Sequence, residues 1–142
     1  MSTMQVEVVS SEESIYSGEV SFLVAPALEG EIGVYPHHTP LLTLIQPGIL
    51  RLTVPNSEQE VLVAVSGGLM EIQPTLVTVL TDTAVRGEDF DEVRANEAKR
   101  NAEEALKKAP DDRTSASAQA ALAAAIAELK ALDYLRKRKH SL

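Results

Sequence analysis

The chain has no cysteine, so it carries no disulfide framework, no thiol nucleophile and no cysteine-ligated zinc. That fits a reducing compartment. Its apolar runs are all far shorter than the roughly 20 residues a membrane-spanning helix needs. The opening segment MSTMQVEVVSSEES holds acids and neither lysine nor arginine, a pattern that predicts neither a signal nor a transit peptide. The expectation from these absences is a soluble protein that works where it is made. Cations are scarce as well. The 142 residues carry a net charge of −8, which argues against nucleic acid as a partner, because phosphate binding runs on lysine and arginine.

The scarcity is local. Residues 1–87 hold ten acids, only two cations (Arg51 and Arg86) and no lysine, whereas residues 88–142 hold eleven of each sign. The whole net charge therefore belongs to the first part. All seven glycines and six of the seven prolines also lie there, while the second part holds 14 alanines. These are two different materials, and they predict two domains, 1–87 and 88–142.

The first part reads as β structure. MQVEVV, EVSFLVA, GILRLTV, EVLVAV, GLMEI and TLVTVL are β-branched runs with partial period-2 alternation, each bounded by Gly, Pro, Asn or Ser. Their spacing, with no helical pattern between them, predicts an antiparallel sandwich or barrel. Pro55-Asn56-Ser57 predicts a hairpin turn, and Pro47-Gly48 a turn in which the glycine takes a positive φ.

The second part reads as two helices. Asp89 followed by Glu92 predicts an N-cap with its capping-box partner, and Lys107 and Lys108 complement the negative end of the same helix. Pro110-Asp111-Asp112 then breaks and restarts the chain. A second helix, roughly 114–138, carries Leu122, Ile126, Leu129, Leu132 and Leu135 at a 3–4 spacing. A short link between two helices predicts an antiparallel hairpin. The first helix offers Ala95, Ala98, Ala102 and Ala105 as its stripe, with only Phe90, Val93 and Leu106 as large apolar groups. Burying an alanine methyl yields about 0.8 kcal/mol, against about 1.5–3 kcal/mol for leucine or phenylalanine. The hairpin is thus expected to be helical by propensity and weakly docked.

Chemistry-bearing residues are few. The segment GEIGVYPHHTPLL, 30–42, reads as a proline-stiffened loop. On an extended backbone its adjacent His37 and His38 point to opposite sides and cannot share one metal. Ser66-Gly67-Gly68 lacks a nucleophile-elbow pattern and a base, and its glycines predict a turn or a close backbone approach. No phosphate-cradling glycine motif occurs. The run Arg136-Lys137-Arg138-Lys139 reads either as a cationic helix end or as a patch for an acidic partner.

Three stretches carry a resemblance: GEIGVYPHHTPLLTLIQPGILRL, VSGGLMEIQPTLVTVLTDTAVRG and the alanine-rich DEVRANEAKRNAEEAL. In this order, over essentially the whole chain, they resemble the epsilon subunit of the bacterial F-type ATP synthase. The resemblance implies an antiparallel β-sandwich of about ten strands followed by an antiparallel two-helix hairpin. It implies a non-catalytic rotor subunit of the central stalk, bound to the gamma subunit and resting on the c-ring, peripheral to the cytoplasmic face of the inner membrane. The hairpin is implied to be a switch: folded on the sandwich it permits turnover, and extended it blocks ATP hydrolysis against the alpha and beta catalytic subunits.

Residue by residue, the resemblance implies that Glu29, Glu31 and His38 contact the c-ring. Some relatives bind ATP between the hairpin helices through an Ile/Leu-Asp-x-x-Arg-Ala motif and second-helix arginines. Here the motif reads Phe90-Asp91-Glu92-Val93-Arg94-Ala95, and Lys130 is the only cation between Thr114 and Leu135. Asp91 and Arg94 are therefore expected to form at most a weak ATP site, and no other cofactor is expected. Lys130, Arg136, Lys137, Arg138 and Lys139 are the expected inhibitory contacts. Two rival readings stay open: a free-standing binding module with a dimerising hairpin, and a small metal enzyme centred on His37 and His38.

Overall fold

A computed structural model describes every residue except Met1, Glu12, Glu58, Ser141 and Leu142; for Arg138, Lys139 and His140 it describes the backbone helix and not the side chains. Ten strands precede two helices. The strands are β1 (Met4–Val9), β2 (Ser14–Val20), β3 (Phe22–Ala27), β4 (Gly30–Val34), β5 (Leu41–Ile45), β6 (Gly48–Thr53), β7 (Glu60–Val65), β8 (Gly68–Ile72), β9 (Leu76–Thr81) and β10 (Ala84–Arg86). The helices are α1 (Glu92–Lys108) and α2 (Asp112–His140).

The strands run in the order β10-β7-β6-β3-β5-β8-β9-β1-β2, with β4 paired to β3 alone. β3 and β5 share only the pair Ala27 and Ile45, and this corner divides the sheet into two facing layers. Alternation decides what lies between them. β1 and β6 bury every second residue, and Val6, Val8, Leu23, Leu50, Leu52, Met70 and Ile72 are fully buried in one cluster.

Four expectations about the β part need correction. The run EVSFLVA is not one strand: Ser21 breaks it, its N–H and hydroxyl both reaching the Thr53 carbonyl, and the chain there crosses from the β1–β2 layer to the other. The stretch 30–42 is not one loop either. Gly30–Val34 and Leu41–Ile45 are strands, and only residues 35–40 loop between them. β1 pairs with β9 in parallel, so the sheet is not wholly antiparallel. Gly48 takes no positive φ; a Cβ there would meet Pro26 at 3.0 Å, so its smallness serves close approach. Gly67 and Gly68 do take positive φ values of 108° and 145°, and a Cβ on Gly68 would collide with the Leu80 carbonyl. Both readings of that pair, turning and close packing, hold.

Past β10 the chain makes a 3-10 turn over Gly87–Asp89, and α1 is capped by Asp91 rather than Asp89. The Asp91 carboxylate accepts the Arg94 N–H at 3.1 Å. The start is delayed because Phe90 stays extended and packs on the sandwich beside Ala64, Ala127 and Ala131. Asp111 caps α2 by accepting the Thr114 N–H at 2.8 Å, after Ala109 ends α1.

The buried faces of the hairpin also differ from expectation. On α1, Ala95 and Ala102 are buried but Ala98 and Ala105 are exposed, with Lys99 and Leu106 half-buried between them. The contact seam is therefore Ala95, Lys99, Ala102 and Leu106. On α2, the buried residues are Ala118, Ala125, Ala127, Glu128 and Ala131, while the leucines of the 122–135 stripe are half-buried. α2 lies between α1 and the β6–β7 face. Only small side chains allow it to approach both, so the leucines are left at the flanks.

Candidate functional site

Two surfaces carry the residues singled out by sequence: the β4 edge and the hairpin's dock. Glu29 sits in the β3–β4 turn and Glu31 on β4, opposite Pro26. His38 lies in the loop beyond the other end of β4, so the strand, rising roughly 3.3 Å per residue, separates it from the two glutamates. His37 is not extended: its φ is +69°, and its N–H donates to the Pro74 carbonyl at 2.7 Å. The His38 ring reaches the Thr39 carbonyl through Nδ1 at 2.7 Å. Among the described residues no cluster of three or more His, Cys, Asp or Glu side chains could hold a metal ion. The loop's prolines and its bond to Pro74 fix a shape.

The dock joins α2 to β6 and β7. Its apolar part is small, Ala127 and Ala131 against Ala64, Ile49 and Phe90. An alanine methyl contributes about 0.8 kcal/mol, so Ile49 and Phe90 supply the larger apolar surfaces of this contact. Its polar part centres on Tyr134, whose hydroxyl donates to Glu60 Oε1 at 2.9 Å and accepts from Arg51 Nη1 at 3.3 Å. The Arg51 guanidinium also lies 5.4 Å from the Tyr134 ring centroid, over its face. Burial alone pushes Arg51 towards losing its proton, but the bond to Tyr134 and the charges of Glu31 and Glu60 outweigh it, so Arg51 holds its proton more firmly than a free side chain. Arg51 Nη2 reaches Glu31 Oε1 at 3.6 Å, so one arginine touches both surfaces.

A second lock lies at the foot of α1. Glu128, only 6% exposed on α2, accepts the Asp91 N–H at 3.0 Å. Arg94 approaches the same carboxylate at 3.8 Å and donates to the Asp89 carbonyl at 3.2 Å. Asp91 and Arg94, the expected nucleotide residues, are thus brought together, and their polar groups face Glu128 and each other. Neither Glu128 nor Tyr134 stood out in the sequence. A lone acid inside an alanine-rich helical face, and a tyrosine three residues past Ala131 on the sheet-facing side, are the signals that could have found them.

The expected inhibitory cations sit at the far end of α2. Lys130 is exposed, Arg136 pairs with Glu92 across the hairpin, and Lys137 pairs with Asp133 one turn back at 3.1 Å. The side chains of Arg138 and Lys139 lie outside the described residues.

One further surface was missed by periodicity. On the outer face of β5, β8 and β9, Leu44, Leu69 and Leu80 lie in register across three strands, beside Leu42. Leu42, Leu44 and Leu80 are 61%, 54% and 49% exposed. With half-buried Leu69 between them, these leucines form an apolar patch across three adjacent strands, the kind of surface suited to an interaction.

Comparison with known proteins agrees with this architecture. The family model "ATP synthase, Delta/Epsilon chain, beta-sandwich domain" matches residues 3–87, and "ATP synthase, Delta/Epsilon chain, long alpha-helix domain" matches residues 88–133. The chain is 71% identical over 140 residues to an ATP synthase epsilon chain of Chromobacterium violaceum, covering 99% of this chain and 100% of that one. It is 60% identical over 139 residues to one of Neisseria meningitidis, covering 98% and 99%. Its fold resembles a chain of the Euglena gracilis mitochondrial ATP synthase with a TM-score of 0.73 at 22% identity, over 93% of this chain and 82% of that chain. The chain belongs to the family of ATP synthase delta/epsilon chains, among the bacterial epsilon chains.

Proposed function

We infer that this chain is a non-catalytic rotor subunit in the central stalk of a proton-translocating F-type ATP synthase, coupling proton flow to ATP synthesis and restraining ATP hydrolysis. Family membership over both domains supports the first half, and so do the fold neighbours, which come from assemblies described as F1 with c-ring and as central stalk with c-ring. The leucine row on β5, β8 and β9 is the surface suited to the gamma subunit. The Glu29–Glu31 turn and the His38 loop offer the acidic and imidazole groups that would meet polar groups of the c-ring.

The observation that carries the regulatory half is the dock itself: a long helix held on the sheet by alanines and a few polar contacts. Such a helix can leave without unfolding the sandwich, whose core is a separate cluster. In the extended state the half-buried leucines would find a new apolar partner in gamma. Lys130 and Arg136 to Lys139 would then face acidic segments of the alpha and beta subunits.

ATP is at most a weak regulatory ligand in this reading. Bound at Asp91 and Arg94, its phosphates would have to displace the Glu128 carboxylate from Arg94. No helix among the described residues is long and apolar enough to cross a membrane, and the reading places the chain at the cytoplasmic face of the bacterial inner membrane through its partners. Binding to the purified cognate gamma subunit tests the assembly: a stable one-to-one complex, lost when Leu44 and Leu80 are both changed to aspartate, is expected. A chain that ignores gamma would overturn the reading.

A further inference from the structure

Arg51 sits in the middle of β6, its backbone flanked by Val24 of β3 and Leu62 of β7, so only its side chain can move. That side chain reaches Glu31 on the β4 edge in one direction and Tyr134 on α2 in the other, at 3.6 and 3.3 Å. Its Nε is buried without an acceptor, so the guanidinium relies on these two contacts, the Tyr134 ring and the charge of Glu60 held beside it on the docked side. We propose that Arg51 couples the β4 edge to the hairpin: a partner whose cationic or N–H donor groups claim the Glu31 carboxylate loosens α2 from the sheet, and undocking of α2 tightens that partner's hold.

The sign follows from solvation. Docked, Tyr134 covers part of the guanidinium and leaves the Arg51 side chain 25% exposed; undocked, Arg51 loses that cover to water. Coulomb attraction scales inversely with effective dielectric, and a fall from about 80 to about 20 strengthens a pair about fourfold. Glu31 therefore stabilises Arg51 more when α2 is docked than when it is not. Removing Glu31 from Arg51 penalises the docked state selectively. By linkage, undocking must raise the affinity of Glu31 for its outside partner by the same factor. Arg51 is a positioning residue here.

The coupling deepens the regulatory reading above, which it needs only to give undocking a purpose. The test uses the isolated full chain, so its failure is separate from failure of gamma binding or of hydrolysis control. The chain has no cysteine, so a single thiol at Ala131→Cys, a fully buried dock position, reports opening through its labelling rate by a soluble disulfide reagent. Glu31→Gln should speed that labelling about threefold when Arg51 is present, the scale of a partly exposed ion pair. With Arg51→Gln in place labelling should already be faster, and adding Glu31→Gln should change it no further. A thiol at Ala25→Cys, in the sandwich core, should label at an unchanged rate in every variant. Amide exchange over residues 124–135 of the cysteine-free chain makes the same comparison without altering the dock. Equal effects of Glu31→Gln with and without Arg51, no effect with Arg51 present, or parallel acceleration at Ala25 would each overturn the coupling.

Discussion

Glu128 on α2 accepts the backbone N–H of Asp91, the N-cap of α1, at 3.0 Å, and its carboxylate is almost wholly buried there. A helix start normally leaves its first amides to solvent or to a local cap. Here the other helix supplies the acceptor, which ties the hairpin together at the end where it meets the sandwich. Glu128→Ala should leave that N–H without an acceptor and Arg94 with only the Asp89 carbonyl, lowering stability by about 1–3 kcal/mol. Glu128→Gln keeps an acceptor oxygen and should lose less. Thermal melts followed by the helical circular dichroism signal compare them; equal losses would mean that the carboxamide oxygen cannot serve.

Tyr134→Phe removes one hydroxyl and with it the bonds to Glu60 and Arg51. A net loss of about 1 kcal/mol is expected. It should appear as faster amide exchange in α2 while the protection of β1, β6 and β9 is unchanged. Uniform loss across both domains would show that dock and core are one cooperative unit.

Two glycines with positive φ should behave differently. Gly30, at φ +131°, has nothing within 4 Å of the position an added methyl would take, so Gly30→Ala should cost only the backbone strain, about 1–2 kcal/mol. Gly68, at φ +145°, faces the Leu80 carbonyl, so Gly68→Ala should exceed about 3 kcal/mol or prevent folding. Denaturant midpoints of the two variants decide it.

The Asp111 carboxyl is held below the usual aspartate range, chiefly by the Thr114 N–H it accepts. Folding lowers this pKa, so the cap's contribution is present above about pH 4, the unfolded value, and is lost as pH falls through the lower folded value. Asp111→Ala should fray the start of α2 at neutral pH. Its helical content relative to the parent should converge as pH drops below about 4. A gap that persists in acid would assign the cap to something other than the charge.

Much of the fold was legible because the local signals are strong. MQVEVV and GLMEI are β1 and β8 without adjustment, and Pro110-Asp111 marks the helix break. What failed were features set by tertiary contact. Ser21 looks like one more strand residue; only the second layer makes it a crossing point. Gly30–Val34 was hidden among prolines and histidines, yet pairs with β3 along its whole length. SIYSGEV, with few buried positions, and the three-residue AVR lacked the alternation that would reveal β2 and β10. The leucine periodicity on α2 was real but did not name the buried face, because closeness to two neighbours favours alanine. The dock was invisible for a similar reason: Arg51, Glu60 and Tyr134 lie far apart in sequence and are polar residues of ordinary strands and helices. Asp91 and Arg94, singled out by motif, sit at the start of α1, where Asp91 caps the helix through the Arg94 N–H.

The claim that the hairpin restrains hydrolysis is tested most directly by the ATPase rate of the assembled complex with two variants of opposite expected sign. A chain lacking residues 110–142 removes the inhibitory element and should raise ATP hydrolysis while gamma binding persists. Tyr134→Phe only loosens the dock, so it should favour the extended helix and lower hydrolysis below the parent rate. Rates equal to the parent in both complexes, across ionic strength, would contradict the account and leave the chain a coupling role alone.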